Sequence, residues 1–405
     1  HSGGRGAKRL RHVLVVAELA VALVLLIGAG LLARSFMTLS NTELGFSPGR
    51  LLTLQVNLVG SRYAKPESQK RFFAEVLERL DQLPMLRQAA ASTDIPLSGE
   101  GPYSGVGVAF QVAGRVPVPV SQQPRAGVTM VSRDFFRTLG IPVREGRTFD
   151  SQDTSQRVDN IVVNEAFVRK IFPGESPLGK GIVFGQNESS RWTIVGVVGS
   201  IRGSHLGADP APLVYRCICQ SSGPFLSRMG FLIRTADDPR QATRAIEAQI
   251  YAADRNQPVF DVKTMEERLA ASLAPQGFYL LLIGIFALIA VALAAIGVYG
   301  VMSYLVALRT REIGIRVAMG ARLGHVLRLV LGESLALMLM AVVVGLGCAW
   351  GLTRYLESML YGVTALDKWT FAMMPAVLGI IALTASLVPA IHALQVDPTT
   401  ALREE

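Results

Sequence analysis

Two carboxylates stand where a carboxylate is costly. Glu18 interrupts the apolar run 13–33, and Glu333 lies inside a later one. A charge at mid-bilayer costs about 2.5–3.5 kcal/mol on insertion scales, so such residues are candidates for proton or ion handling. Glu18 is only about one and a half turns inside the end of its run, and Glu333 lies a little further from a basic loop, so snorkelling or pairing with Arg or Lys is the favoured reading. A second chemical candidate is Gly174–Gly181, GESPLGKG, which matches GxxxxGK. It ends in Gly181 where a phosphate loop needs Ser or Thr for magnesium, its upstream stretch reads as a helix rather than a strand, and no helix opens after Lys180. A surface turn is expected there. The five histidines (His1, His12, His205, His325, His392) are scattered and form no local catalytic or metal signature. Of three cysteines, Cys217 and Cys219 would share one face of a strand in YRCICQ, and an i, i+2 bridge between them is strained, so burial or a partly exposed edge is expected instead. No residue is assigned to catalysis, to a cofactor or to a metal.

The elements around these residues follow from composition. Half of the 405 residues are hydrophobic and 18% are charged, against about 25% charged in average soluble domains. The mean hydropathy is +0.37. The deficit of charge collects in four apolar runs, each long enough for the roughly 20 residues that cross a bilayer as a helix. They are placed at 13–36, 275–308, 326–352 and 370–394. The apolar stretch 13–33 of the first is too long for the apolar core of a signal peptide and is followed by Arg34 and Ser35 without a clear cleavage site.

The formal net charge is +9. Residues 1–12 hold Arg5, Lys8, Arg9 and Arg11, and the loop after the second run holds Arg309, Arg311, Arg316, Arg322 and Arg328 against Glu312, a net +4 each. By the positive-inside rule both segments, and the tail 395–405, are cytoplasmic. The loop 353–369 and the large segment 37–274 then lie outside. No aromatic interleaving or DNA-binding motif accompanies the basic residues, so nucleic acid is not an expected partner.

The outside segment reads as α+β. LLTLQVNLV at 51–59 alternates as a strand, Pro66 opens a helix with Phe72, Phe73, Val76, Leu77 and Leu80 on one stripe, and a strand follows at 86–95. The order repeats as MGFLIRT (229–235), an amphipathic helix around 239–252 and PVFDVKT (258–264). Two such β-α-β units predict a split α+β sandwich. Residues 97–227 between them read as a β-rich insertion, with helical turns at SRDFFRTL and NEAFVRKIF.

The loop itself, LRTREIGIRVAMGARLGHVLRLVLGES (308–334), places Ile313 and Val317 four apart among arginines, with Gly320 as a stop. A short amphipathic helix at 309–325 is expected, either anchored on membrane lipid or docking a soluble partner. Residues Arg311, Glu312, Ile313, Gly314, Arg316, Met319, Gly320 and Ala321 resemble, almost residue for residue, the coupling-helix signature of the MacB/FtsX-like permeases of ABC transporters. RLRHVLVVAELAVALVLLIGAGLLARSF, VSRDFFRTLGIPVREGRTF, VNEAFVRKIFPGESPLGKGI, WTIVGVVGSIR, SMLYGV and VDPTTALRE extend the resemblance over nearly the whole chain.

The resemblance implies a permease subunit of a bacterial inner membrane, with four transmembrane helices and a MacB-type periplasmic core domain made of a porter-like part and a β-rich part. It implies a mechanotransmitter for efflux or other work outside the membrane. The ATP and magnesium are then bound by a soluble ABC ATPase subunit, which docks on the loop, while this chain carries no cofactor and is not itself an enzyme. A second permease half or a second copy, and an extracytoplasmic adaptor, are the other implied partners. The start at His1 and the lack of an ATPase resemble the second half of a tandemly duplicated permease. After the fourth run the family has a basic stretch, whereas this chain has Pro389–Ala393, PAIHA. A membrane-anchored sensor without transport is the alternative; a membrane-bound enzyme has no catalytic constellation to support it.

Overall fold

The computed structural model describes residues 3–99, 107–153, 159–185, 191–203, 206–220, 226–318, 323–356 and 360–394, with backbone alone for 3–8, 308–331, 333, 356, 390 and 392–394. The chain divides into two compact units, residues 1–41 with 274–405, and residues 42–273.

The first unit is helical. α1 (Gly3–Ser40), α6 (Met265–Ala318), α7 (Leu323–Leu356) and α8 (Lys368–Leu394) are each long and apolar enough to cross a membrane. Their shared core joins Leu19, Leu23, Ile27 and Leu31 of α1 to Ala294, Val298 and Met302 of α6, Leu337 and Ala341 of α7, and Leu378 and Ala382 of α8. No break separates residues 309–318 from the rest of α6, where a helix end was expected after 308. Nothing between Leu308 and Ala318 stops a helix, because the stretch has no proline and Gly314, its weakest former, costs about 1 kcal/mol.

Among its described residues the second unit holds eleven strands. Its α+β half is an antiparallel sheet in the order β11 (Val259–Thr264), β1 (Leu51–Asn57), β10 (Arg228–Thr235), β2 (Leu86–Ser92). The late strand β10 therefore lies between β1 and β2, in register Leu51↔Arg234 and Ala91↔Phe231, and β1 lies between β10 and β11. This is the split arrangement the two β-α-β units predict. α2 (Pro66–Asp81) and α5 (Pro239–Ala253) both start on a proline. That residue has no N–H to waste at the first helical position. They bury Phe72, Phe73, Val76, Ile246 and Ile250 against Leu52, Leu54, Val56 and Phe231 of the sheet.

The β-rich half contains β3 (Val108–Val112), β4 (Arg125–Val131), β5 (Val143–Gly146), β6 (Asn160–Asn164), β7 (Gly181–Phe184), β8 (Arg191–Val198) and β9 (Leu213–Cys217), with α3 (Phe135–Leu139) and α4 (Glu165–Ile171). Its pairings run β4–β3–β7–β8–β6–β9 and return from β9 to β4, so these strands form a closed ring. Closure leaves those strands no open edge to pair with another chain. Phe110, Phe167, Phe172, Ile182, Ile194 and Val214 fill its core. Asn164 caps α4, its Oδ1 accepting from the N–H groups of Phe167 (2.9 Å) and Leu213 (3.0 Å).

Candidate functional site: the roots of the membrane helices

Arg311, Glu312, Ile313, Gly314 and Arg316 lie on the last turns of α6. Met319, Gly320 and Ala321 lie outside the described residues, and Glu333 is on α7 with its side chain undescribed. Glu18 is placed in full. Its carboxylate rests against the bare backbone of Gly297 on α6, so that a Cβ at that glycine would collide with Glu18 Oε2. About two turns away along both helices, the Arg11 guanidinium stacks 4.1 Å over the Tyr304 ring. The two contacts tie α1 to α6 by side chains that meet small or aromatic partners. Among the described residues, no group of three or more His, Cys, Asp or Glu could hold a metal ion.

GESPLGKG is a turn between α4 and β7, as expected. Lys180 pairs with Glu175 and lies 4.8 Å over the buried Phe172 ring, and the chain continues as a strand rather than a helix. The cysteines differ from expectation. Cys217 and Cys219 form a disulfide with Cα atoms 5.1 Å apart. The strand ends at Cys217, and the 3-10 turn Ile218–Gln220 swings Cys219 back toward it, so the extended geometry that makes such a bridge strained is not the one present.

The structure also reveals a cluster that sequence reading missed, at the first turn of α6. Thr264 and Glu267 cap each other: the Glu267 N–H donates to Thr264 Oγ1 (3.1 Å) and the Thr264 N–H to Glu267 Oε2 (2.8 Å). This T-x-x-E box ahead of an apolar helix was legible in the sequence. Glu267 also pairs with Arg240 of α5. Arg268, only 4% exposed, donates from Nε to Thr53 Oγ1 (2.6 Å) and from Nη2 to both the carbonyl (2.9 Å) and the carboxylate (2.6 Å) of Asp261.

Asp261 can face Arg268 because β11 bulges there. The register against β1 slips between Thr53 and Gln55, and Asp261 has φ 52°, in the left-handed region that aspartate tolerates better than most residues. Its carboxylate also accepts from Gln55 Nε2 (3.2 Å) and Lys263 Nζ (2.8 Å). Partial burial works against ionisation, yet the bonds from Lys263 and Arg268 hold this carboxyl below its ordinary value. α6 thus starts from a root clamped to β1, β11 and α5.

The segment that leads into β1 is held as firmly. The Ser47 N–H donates to the Leu139 carbonyl (2.8 Å) and the Arg202 N–H to the Leu44 carbonyl (3.0 Å). Gly45 approaches the Ser200 carbonyl so closely that no Cβ would fit, at φ +77°. Arg234 of β10 spends three N–H groups on carbonyls of Thr138, Gly49 and Ser47, at 2.7–2.8 Å. Every one of these contacts lies within residues 42–273. At the far end of α1, in the helical unit, Arg34 Nη1 pairs with Asp367 (2.5 Å) and the Tyr361 N–H donates to Ser35 Oγ (2.7 Å).

Two family models match the chain: the MacB-like periplasmic core domain over residues 14–249 and the FtsX-like permease C-terminal part over residues 284–398. Curated relatives include a macrolide export ATP-binding/permease protein, MacB, of Chromobacterium violaceum, 27% identical over 69% of this chain and 44% of that protein. A pyoverdine export ATP-binding/permease protein, PvdT, of Pseudomonas aeruginosa is 29% identical over 67% and 41%. An ABC transporter permease, YknZ, of Bacillus subtilis is 27% identical over 70% and 71%. The chain therefore spans under half the length of the ATP-binding/permease relatives. Among solved structures, the periplasmic region of MacB from Actinobacillus actinomycetemcomitans aligns with TM-score 0.37 at 14% identity, covering 55% of this chain and 92% of that one.

Proposed function

Because the chain belongs to the family of permeases that join a MacB-like periplasmic core domain to an FtsX-like C-terminal part, we propose that it is the membrane subunit of an ABC transporter and transmits work from a separate ATPase to the outside of the membrane. The observation that carries this reading is α6. It is one unbroken helix of 54 residues, more than twice what a bilayer needs, with a clamped first turn and the RTREIGIRVA stretch as its last turns.

In this reading the soluble ATPase binds ATP and magnesium and seats on Arg311, Glu312, Ile313, Gly314, Arg316, Met319, Gly320 and Ala321. Both termini are cytoplasmic, the membrane is the bacterial inner membrane, and residues 42–273 work in the periplasm. A second permease half or a second copy completes the pair, and an adaptor receives the motion outside. Glu18 serves packing rather than ion transport, since it fills the notch left by Gly297.

The test is photocrosslinking in native membranes with a photoreactive residue at Met319. Recovery of a soluble ABC ATPase is expected; recovery of lipid alone, or of a signalling protein, refutes the reading. Reversing Arg311 and Arg316 to Glu should abolish stimulation of that ATPase while residues 42–273 stay folded, and undiminished stimulation would remove the coupling role from this stretch.

A further inference from the structure

At one end of the helical unit a cleft of about 370 Å³ opens between α1 and α8. It is lined by Gly30 and Arg34 of α1 and by Trp369, Thr370, Met373 and Met374 of α8. Gly30 makes the cleft narrow, since a Cβ there would stand 2.9 Å from Met374 and Thr370 side-chain carbons. The floor is therefore thioether and methyl groups, adaptable and apolar. The rim is charged. Arg34 is nearly half exposed, and of its five N–H donors one is taken by Asp367 among the described residues. Asp367 is itself committed, with Oδ2 also accepting from the Thr370 N–H (3.0 Å) and hydroxyl (2.8 Å). Lys368 is exposed beside it, so Arg34, Asp367 and Lys368 leave the rim at net +1.

Trp369, 68% exposed, stands at the same level. A tryptophan and two cations where two apolar helices end is the composition of a membrane–water boundary, where indole rings sit at headgroup depth. Charged donors beside an open apolar slot fit an amphiphile with a phosphate head and a hydrocarbon tail.

We propose that this cleft is a binding site for a membrane glycerophospholipid, its phosphate on the free N–H groups of Arg34 and one acyl chain along Gly30, Met373 and Met374. Planar guanidinium bonds phosphate oxygens two at a time, which a point-charge ammonium does not. The site depends on neither the ATPase nor the cargo, so it stands or falls apart from the transport reading.

The full chain, purified in mild detergent and examined by native mass spectrometry, should retain a single phospholipid. Arg34→Gln removes the phosphate donors, and Met373→Trp fills the slot at a residue exposed enough to accept it without repacking. Arg34→Gln should lower the retained fraction by about five-fold or more, the effect of losing one cation–lipid contact, and Met373→Trp should lower it by a similar factor by occupying the acyl-chain slot. Met373→Trp keeps the Arg34–Asp367 pair, so loss of lipid in that variant is not a folding defect. No lipid on the parent chain, or unchanged retention in either variant, overturns the proposal. In a second arm, delipidated protein is titrated with short-chain phosphatidylglycerol or with inorganic phosphate. A rise in Tm with the phospholipid alone is expected. No rise, or an equal rise with inorganic phosphate, overturns the lipid assignment, the latter in favour of a free anion.

Discussion

Asp261→Asn perturbs the root of α6 with the least change of shape. The asparagine keeps an acceptor for Arg268 Nη2 but removes the charge that balances a guanidinium 4% exposed to solvent. Breaking a buried ion pair by neutralising one partner costs about 3–5 kcal/mol. Asp261 is 23% exposed and Lys263 beside it 51%, and the backbone carbonyl of residue 261 still accepts from Arg268, so part of that cost is screened or retained. About 2 kcal/mol is the expected loss. Arg268→Ala should cost more, about 3–5 kcal/mol, because it leaves the partly buried Asp261 carboxylate without its guanidinium, takes one of the two hydrogen bonds of the Thr53 hydroxyl, which still donates to the Lys263 carbonyl, and leaves a cavity. The two changes should be coupled by about 2 kcal/mol in a double-mutant cycle. The assay is hydrogen–deuterium exchange of the full chain in detergent, read over residues 259–272, with urea unfolding for the global value. A pH arm adds a sign. The Asp261 carboxyl lies below its ordinary 3.8, so its contribution is complete above that pH and is lost as pH falls through the lower, folded value. Additive effects, or exchange at 265–272 that matches the parent chain, would refute the idea that this pair holds the helix root.

Three further outcomes are expected. Burial pushes the Asp94 carboxyl up to about 6 against the Thr93 hydroxyl bond, so its ionisation weakens the fold as pH rises through that value; Asp94→Asn should stabilise residues 42–273 by about 2 kcal/mol at pH 7.5 and leave them unchanged at pH 3, and equal effects at both pH values would dismiss burial as the cause. Gly297→Ala should displace the Glu18 carboxylate and lower the Tm in detergent, with recovery when Glu18→Ala is added; no recovery in the double variant would exclude that collision. Replacing both Cys217 and Cys219 by Ser should cost no more than about 1.5 kcal/mol, since the bridge encloses a single residue and constrains little of the unfolded chain. A larger loss in thermal or urea unfolding would mean that the disulfide orders the β9 turn.

Much of this architecture was readable because the apolar periods are clean. Leu52, Leu54 and Val56 alternate, and Phe72, Phe73, Val76 and Leu80 follow a helical stripe, so β1, α2, β2, β10, α5 and β11 lie within a few residues of where the sequence puts them. Four apolar runs became four long helices for the same reason. Closure of the β-rich half was not legible, because the parallel pair of β4 with β9 joins residues far apart that no local pattern connects. Nothing in the sequence singles out Arg268 from the other arginines of the chain. Its burial depends on a bulge in β11 that places Asp261 in a left-handed conformation, and neither residue type announces that alone. The same limit applies to Glu18: its neighbour Gly297 lies in a different helix, and only packing brings the two together. The disulfide was misjudged because the strand was carried two residues past its end.

The place of β10 in the sheet also governs the order in which the protein can be made. Its neighbours β1 and β2 leave the ribosome before it, yet β1 has no partner and β2 only its Ser92–Val131 bridge to β4 until residue 235 has followed, with the whole β-rich segment synthesised in between. At bacterial speeds that delay is on the order of ten seconds or more. The closed ring of β3, β4, β6, β7, β8 and β9 is contiguous in the chain and can complete itself during the wait. The first half of the α+β sheet cannot, and it exposes Leu52, Leu54 and Val56 meanwhile. Secretion factors that shield newly translocated segments should therefore bind residues 51–92, and a truncation ending before 228 should be degraded although its β-rich part is whole.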